Sequence, residues 1–203
     1  MPAALTERPP APAVQYPPRK RWTRAEIDAA EAAGIFDQQH LELVDGELIV
    51  KMPKNRPHSG AASSLIAWLI QVFGARLVNF EVPIDVSPQD NPTNRPEPDL
   101  VVLTREYAAS RFWTHTPQPR DLDLVVELAD TSLAFDLTTK AALYARAGIS
   151  EYWILDLTAR RLLVHRDPQG GNYQSVVSYD DTESVAPLAA SNSNFQIRDV
   201  FPA

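Results

Sequence analysis

Two acidic side chains stand beside short apolar runs, where an ionised carboxylate is costly unless it is paired or bound to a metal ion. Asp99 opens the run DLVVL at 99–103, and Glu127 lies near the end of the run DLVVEL at 123–128. Neither run alternates with polar residues, so we predict two strands that are buried on both faces. Carboxylates on adjacent strands can share one hard cation such as Mg²⁺, which takes one or two protein carboxylates. The alternative is two separately solvated acids at strand ends.

A lysine follows on the next predicted element. Lys140 lies in a predicted helix over 132–148, directly after the strand that carries Glu127. Asp136 precedes it by four residues, which is the favourable acidic-to-basic order on one helix face. In the functional interpretation Lys140 lies near the metal ion and orients or deprotonates the attacking water. In the alternative, the two residues form an exposed pair of small energetic value.

Four further side chains are weaker candidates. Glu47 follows a predicted hairpin turn, and it either reaches the metal site through water or faces solvent. His58 precedes a predicted helix, and it either contacts a substrate phosphate or the metal site or simply begins the helix. Glu97 shares a face with Asp99 if the segment is extended, and otherwise it is a solvated loop residue. Glu42 is the weakest candidate of the four.

Short strands interleaved with helices must position these residues. Helices are predicted from Thr23, with Glu26 as its capping-box partner, to Gly34, from His58 to Gly74, and over 132–148. Strands are predicted in a hairpin around Asp45-Gly46, over 77–86, 99–103, 123–128 and 151–156, and in a second hairpin around 168–171. This order predicts an α/β fold with a central mixed sheet and flanking helices.

Composition limits the class of protein. The chain has 203 residues, 44% of them hydrophobic, which suits one domain with a tail. Six prolines within the first 18 residues predict a flexible tail over 1–20, followed by a single domain over 21–203. The absence of Cys excludes disulfides, thiolate metal sites and a Cys nucleophile. We see no secretory signal and no membrane-spanning run, and we expect a cytoplasmic protein.

The formal net charge of −7 disfavours non-specific binding to nucleic acid, because contacts with phosphates need positive charge. It leaves room for a local basic groove. The charge therefore bears on how a nucleic acid would be bound, and it does not decide whether one is bound.

Residues from about 40 to 160 resemble the Uma2 family of endonucleases, within the PD-(D/E)XK nuclease superfamily. The similarity runs through LELVDGELIVKMP, His58, RPEPDLVVL and LVVEL. Its most specific part is a spaced string of Asp136, Lys140, Tyr144, Gly148 and then EYW. The resemblance implies a restriction-endonuclease-like core and a Mg²⁺- or Mn²⁺-dependent endonuclease that hydrolyses DNA. It also implies a homodimer, because nucleases of this superfamily often pair.

The family's functional residues carry over by position. Asp99, after Pro98, matches the first metal carboxylate, and Glu127 matches the acidic residue of the second motif. The superfamily usually has a lysine two residues later, where this chain has Ala129, and Lys140 resembles a relocated equivalent. The stretch 130–133, DTSL, stands where such sequences carry a serine-proline-serine-threonine-like run.

Three functions remain open on the sequence alone, and the third is a structural or oligomeric protein of unassigned role. The first is a metal-dependent endonuclease with Asp99, Glu127 and Lys140 as catalytic residues, and with Glu47, His58 and Asp136 in support. The second is a catalytically degenerate nuclease fold that serves as a binding or interaction module. The missing second-motif lysine favours the second function, and the joint presence of the three catalytic candidates favours the first.

Overall fold

The computed structural model describes residues 18–37, 39–51, 54–111 and 114–201. Its helices are α1 (Arg24–Ala32), α2 (Arg56–Phe73), α3 (Arg105–Ser110), α4 (Leu133–Phe135) and α5 (Ala141–Ala147). Its strands are β1 (Leu41–Val44), β2 (Glu47–Val50), β3 (Val78–Phe80), β4 (Leu100–Leu103), β5 (Leu122–Ala129), β6 (Glu151–Asp156), β7 (Arg161–Gln169), β8 (Asn172–Asp180), β9 (Ser184–Val185) and β10 (Phe195–Gln196).

A six-stranded mixed sheet forms the centre of the fold. Its spatial order is β3-β4-β5-β6-β7-β8. β5 and β6 pair in parallel, and the other neighbours in the sheet pair antiparallel. The prediction of an α/β fold with a central mixed sheet is therefore confirmed. The runs 99–103 and 123–128 form the neighbouring inner strands β4 and β5, as their lack of alternation predicted.

The sheet buries a separate apolar core on each face. On one face, Leu65 and Leu69 of α2 pack with Val126 and Trp153. On the other face, Tyr144 of α5 packs among a second set of buried side chains, which includes those of β5 and β6. Successive residues of a strand point to opposite faces, so the two inner strands supply both cores. Each fully buried Leu contributes about 2 kcal/mol.

Local signals fix the ends of the first two helices. The side chain of Thr23 accepts from the backbone N–H of Glu26, and the carboxylate of Glu26 accepts from the N–H of Thr23, which is the predicted capping box. The helix predicted from His58 begins two residues earlier, because the side chain of Asn55 caps it by accepting from the N–H of His58. Gly74 ends this helix, as predicted.

The hairpin of β1 and β2 turns at the predicted Asp45-Gly46 pair. Both residues have positive φ, 47° and 75°, which suits a tight hairpin turn. A Cβ at Gly46 would lie 2.8 Å from Cβ of Arg21, so the close approach of the chain before α1 also requires glycine. Leu43 pairs with Arg95 in an isolated antiparallel bridge, which ties the hairpin to the segment before β4.

Three predicted elements differ from the observed ones. The strand predicted over 77–86 is limited to β3, because Glu81 turns the chain with a φ of 49°. The helix predicted over 132–148 is interrupted by one π turn, Asp136–Lys140, between α4 and α5, although it ends at Gly148 as predicted. The second hairpin turns at Gly170-Gly171, so its strands include Pro168 and Gln169.

Most of the predicted tail over 1–20, namely residues 1–17, lies outside the described residues, so the tail and the domain boundary stay predictions. Within the described ranges, no helix is long and apolar enough to cross a membrane.

Candidate active site

The register of β4 and β5 brings the two predicted metal carboxylates together. Leu100 pairs with Val126 in this antiparallel pair. One step further, Asp99 on one chain segment stands opposite Glu127 on the other. Side chains directly opposite each other on antiparallel strands have Cβ atoms about 5 Å apart. Both carboxylates line the same pocket.

Asp99 is held as an ionised carboxylate. Its Oδ2 accepts the backbone N–H of Leu128 at 2.8 Å and lies 3.6 Å from Nε2 of His58, and its Oδ1 lies 3.1 Å from Nζ of Lys54. Burial acts to raise the pKa of Asp99. The neighbouring His58, the charge of Lys54 and the Leu128 N–H outweigh it and hold the pKa well below its usual range.

Glu127 has the opposite electrostatic balance. It is buried, and its Oε1 accepts hydrogen bonds from Nζ of Lys140 at 2.9 Å and from the Tyr144 hydroxyl at 3.1 Å. Burial raises the pKa of this carboxyl above its usual range. The charge of Lys140 offsets part of that shift, and the nearby Asp136 and Asp99 add to it. Glu127 therefore binds a proton more readily than an exposed glutamate does.

Lys140 lies between two carboxylates. Its Nζ is 2.9 Å from Glu127 Oε1 and 2.9 Å from Glu42 Oε1, and only 3% of the side chain is exposed. Burial acts to lower the pKa of Lys140, but Glu127, Glu42 and Asp136 outweigh it and raise the pKa above its usual range. The group stays an ammonium at neutral pH, so it is unsuited to take a proton from water.

Asp136 is buried near this cluster but does not pair with Lys140 as the helical spacing predicted. Its Oδ2 accepts the Ser132 hydroxyl at 2.6 Å, whereas the ion pairs of Lys140 are with Glu42 and Glu127. The prediction assumed a regular α-helix, and the π turn that contains both residues breaks that spacing. Such turns are rare and frequently occur at functional sites.

Glu47 does not reach the pocket. It is exposed at the turn end of β2, and the pocket lining does not include it. Glu42, and not Glu47, lines the pocket. The Oε2 of Glu42 accepts the backbone N–H of Glu97 at 3.1 Å. In the hairpin register Glu42 pairs with Ile49 and Glu47 pairs with Val44, so the two acids share a face but lie two residues apart along the hairpin.

His58 lines the pocket, whereas the carboxylate of Glu97 contacts His40. His58 is buried at the start of α2, and its Nδ1 has no hydrogen-bond partner among the described residues. The carboxylate of Glu97 lies 2.8 Å from Nε2 of His40. Its backbone carbonyl accepts Nζ of Lys51 at 2.6 Å.

Sequence reasoning missed the contacts of Glu42, Lys54 and Tyr144 with this cluster. The first two reach it through long-range packing that no local periodicity encodes. Tyr144 carried a usable signal, because it stands four residues after Lys140 and so faces the same side of the helix. Its hydroxyl was the polar feature to follow, since a buried Tyr O–H usually finds a partner.

The donor set fits a hard divalent cation. Asp99 and Glu127 offer carboxylate oxygens, which suit Mg²⁺ or Mn²⁺. Within the described part of the chain, no group of three or more His, Asp or Glu side chains is arranged to hold an ion. A site with two carboxylates does not need one, because Mg²⁺ usually keeps several waters. The pocket also has six acidic residues against three lysines: Glu42, Glu81, Asp99, Glu127, Asp130 and Asp136 against Lys51, Lys54 and Lys140.

Known proteins resemble this chain in fold and in sequence family. The chain is similar in fold to a crystal structure described as a "putative nuclease" from Anabaena variabilis, with a TM-score of 0.61 and 18% sequence identity, over 81% of this chain and 90% of that one. No curated protein matches the chain. The Uma2 family model, described as "Putative restriction endonuclease", matches residues 26–198, which is most of the chain. This protein therefore belongs to the Uma2 family.

Proposed function

We propose that this chain is a divalent-metal-dependent endonuclease that hydrolyses phosphodiester bonds of DNA. The family description and the nuclease-like fold support a nuclease function. The observation that carries the finer proposal is the meeting of Asp99 and Glu127 at the end of two inner strands, in a pocket where carboxylates outnumber lysines. Four of these acids, Glu42, Asp99, Glu127 and Asp136, are buried, and an excess of buried carboxylates is costly unless protons or a cation neutralise it.

Asp99 and Glu127 are the residues that would hold Mg²⁺ or Mn²⁺. A bound ion of this kind lowers the pKa of its water and stabilises the charge that develops on phosphate oxygens. Among the described residues, both hydrogen bonds to Glu127 are accepted by Oε1, which leaves Oε2 for this purpose. The N–H of Leu128 fixes Asp99 beside it.

Lys140 serves as a positioning charge in this proposal. Its ammonium bonds directly to Glu127 and is itself held by Glu42, so it fixes the orientation of the metal-binding carboxylate. Because its pKa is raised, it does not act as the base that takes a proton from the attacking water. The sequence predicted two possible roles for Lys140, orienting the attacking water or taking a proton from it. The proposal keeps a positioning role for its charge and drops the role of base.

The residue at the usual position of the second-motif lysine, Ala129, has no charged group to bring to the site. Ala129 is completely buried in the core beside α5. Lys140 brings an ammonium to the same carboxylate from the π turn instead, which favours a working site over a degenerate module. The homodimer and the cytoplasmic location remain predictions, and sedimentation of the purified chain would test the first.

A cleavage assay tests the proposal. Wild-type protein is incubated with Mn²⁺ or Mg²⁺ on duplex DNA, single-stranded DNA and RNA, beside Asp99→Asn and Glu127→Gln. Glu47→Gln is the matched control, because Glu47 is an exposed glutamate outside the pocket. We expect metal-dependent cleavage of DNA that both pocket variants lose and the control keeps.

Two results would contradict the proposal. Full activity in either pocket variant would remove that residue from the site. Metal binding without cleavage of any nucleic acid would favour the binding module.

A further inference from the structure

A second lysine, Lys54, forms ion pairs with carboxylates of the pocket. It has no role in the mechanism proposed above. Lys54 follows β2 and directly precedes Asn55, the residue that caps α2. Its Nζ lies 3.1 Å from Asp99 Oδ1 and 2.8 Å from Glu81 Oε1. It therefore contacts one of the oxygens that a metal ion would use.

Lys54 and Lys140 differ in their access to solvent. The side chain of Lys54 is 29% exposed, against 3% for Lys140. Lys140 is enclosed between two buried carboxylates, so its ammonium is much less accessible to an incoming ligand. A lysine has a flexible four-carbon stem that carries a compact charge, and at the pocket wall such a group can move and meet a ligand.

Glu81 is held in an unusual conformation that gives Lys54 its second anchor. Its φ of 49° lies in the left-handed region, which is uncommon for residues other than glycine. The backbone N–H of Glu81 donates to the carbonyl of Asp99 at 3.2 Å. Local strain of this kind persists where the surroundings enforce it, and it is concentrated at functional sites. The turn after β3 thus ties the anchor of Lys54 to the metal-binding segment.

We propose that Lys54 is the substrate-phosphate ligand of this pocket and that it occupies Asp99 Oδ1 until a divalent ion takes that oxygen. The inference rests on the proposed function and adds the residue that receives the substrate. Once displaced, Lys54 keeps its ion pair with Glu81 at the pocket wall. A polyanionic substrate that approaches a mainly acidic pocket needs an accessible cation there, and Lys54 supplies it.

Metal affinity without substrate is the first measurement. Mn²⁺ binding is followed by titration calorimetry for the wild type, Lys54→Met, Lys54→Arg and the control Lys20→Met. Lys20 forms a surface ion pair with Glu26 and lies outside the pocket lining. Removing a positive charge a few ångströms from a dication should tighten Mn²⁺ binding by about tenfold in Lys54→Met. Lys54→Arg and Lys20→Met should bind Mn²⁺ like the wild type.

DNA binding is the second measurement, by fluorescence anisotropy of a labelled duplex with Ca²⁺ in place of Mn²⁺. Lys54→Met should bind the duplex several-fold more weakly, and the slope of log affinity against log salt concentration should fall by about one. A charge that only supports the fold would leave this slope unchanged. Lys54→Arg keeps the charge and should keep most of the affinity.

The outcomes separate this inference from the proposed function. A wild type that binds no Mn²⁺ would remove the metal site and the inference with it. A wild type that binds Mn²⁺ with the same affinity as Lys54→Met would overturn the displacement and leave the proposed function standing. Tighter Mn²⁺ binding with unchanged DNA affinity and salt slope would overturn the assignment of Lys54 as the phosphate ligand.

Discussion

Glu127 on β5 and Glu151 on β6 are buried carboxylates on neighbouring parallel strands, and the protein surrounds them differently. Glu151 is completely buried, and both of its oxygens are bonded. Its Oε1 accepts Nε1 of Trp153 and Nε of Arg166, each at 2.9 Å, and its Oε2 accepts the N–H of Leu188 at 2.7 Å. Glu127 accepts the hydrogen bonds of Lys140 and Tyr144 on one oxygen.

The two carboxylates also differ in how far neighbouring cations balance the negative charge around them. Arg166 neutralises Glu151 in the described structure. Around Glu127, the buried acids Glu42, Asp99 and Asp136 exceed the cations in contact with them. A satisfied carboxylate stabilises its surroundings, whereas an excess of carboxylates needs protons or a cation from outside. Glu151 is therefore a paired carboxylate within the core, whereas the excess of acids around Glu127 suits the cation that the proposed function requires.

The largest effect on stability is expected from Lys140→Met. The change leaves Glu127 and Glu42 buried without their shared ammonium, and losing one partner of a buried pair costs about 3–5 kcal/mol. The pKa of Glu127 is raised in the fold, so its contribution to stability is present below its unfolded pKa and is lost as pH rises through the folded pKa. The loss should therefore be larger at pH 8 than at pH 5, as measured by urea unfolding.

Activity and metal binding of Lys140→Met should separate. Most of the cleavage activity should disappear while Mn²⁺ binding persists, because Asp99 and Glu127 remain. Added Mg²⁺ should raise the Tm of this variant more than that of the wild type, since the ion replaces a missing charge. An equal loss of stability at both pH values, or full activity, would contradict the positioning role.

Glu151→Gln should give the next largest loss of stability. The change removes the charge that neutralises the partly buried Arg166, and we expect a cost of about 3 kcal/mol in the free energy of unfolding. The same substitution at Glu127 is the matched variant. It should change stability by less than about 1 kcal/mol, because Lys140 keeps Glu42 and the pocket loses an excess charge. Similar stability losses in both variants would break the distinction between the regions.

Tyr144→Phe and Tyr173→Phe make the same chemical change in two settings. The Tyr144 hydroxyl donates to Glu127, and the Tyr173 hydroxyl donates to the carbonyl of Ile149 at 2.9 Å. Each variant loses one hydrogen bond and should be destabilised by about 1 kcal/mol. Only the first should slow DNA cleavage, since it frees the orientation of Glu127, the proposed metal ligand. Equal cleavage rates for the two variants would remove Tyr144 from the site.

The contrast also explains which parts of the site could be predicted from the sequence. Asp99 and Glu127 could be predicted together because Asp99 directly precedes one apolar strand and Glu127 lies within another, and an acid in such a place needs a partner. The inner strands β4, β5 and β6, the Asp45-Gly46 turn and most helix ends follow from short patterns of apolar residues, caps and glycines.

The rest of the site depends on packing between distant segments. Glu42 reaches Lys140 because the β1–β2 hairpin is fixed by the bridge of Leu43 with Arg95. Lys54 reaches Asp99 from a distant segment of the chain. The contact of Lys140 with Glu127 is the one that the sequence predicted, whereas its second partner is Glu42 instead of Asp136, because a π turn replaces the regular helical spacing. Such contacts join residues far apart in the chain, and only the folded structure displays them.

The smallest effect concerns His165, which pairs with Tyr152 beside the Glu151–Arg166 pair of the β6–β7 register. Burial lowers the pKa of His165, against hydrogen bonds to backbone that act to raise it. The unfolded chain therefore takes a proton at higher pH than the fold does, and stability falls as pH drops below about 6.5, the ordinary pKa of histidine. The pKa of Glu127 is shifted upward, so its contribution to the free energy of unfolding changes with pH in the opposite sense and is lost as pH rises. His165→Leu should flatten the acidic limb of a plot of unfolding free energy against pH and leave the alkaline limb in place, whereas Glu127→Gln should do the reverse. Parallel changes in both limbs would show that one shared network, rather than two independent regions, controls the pH response.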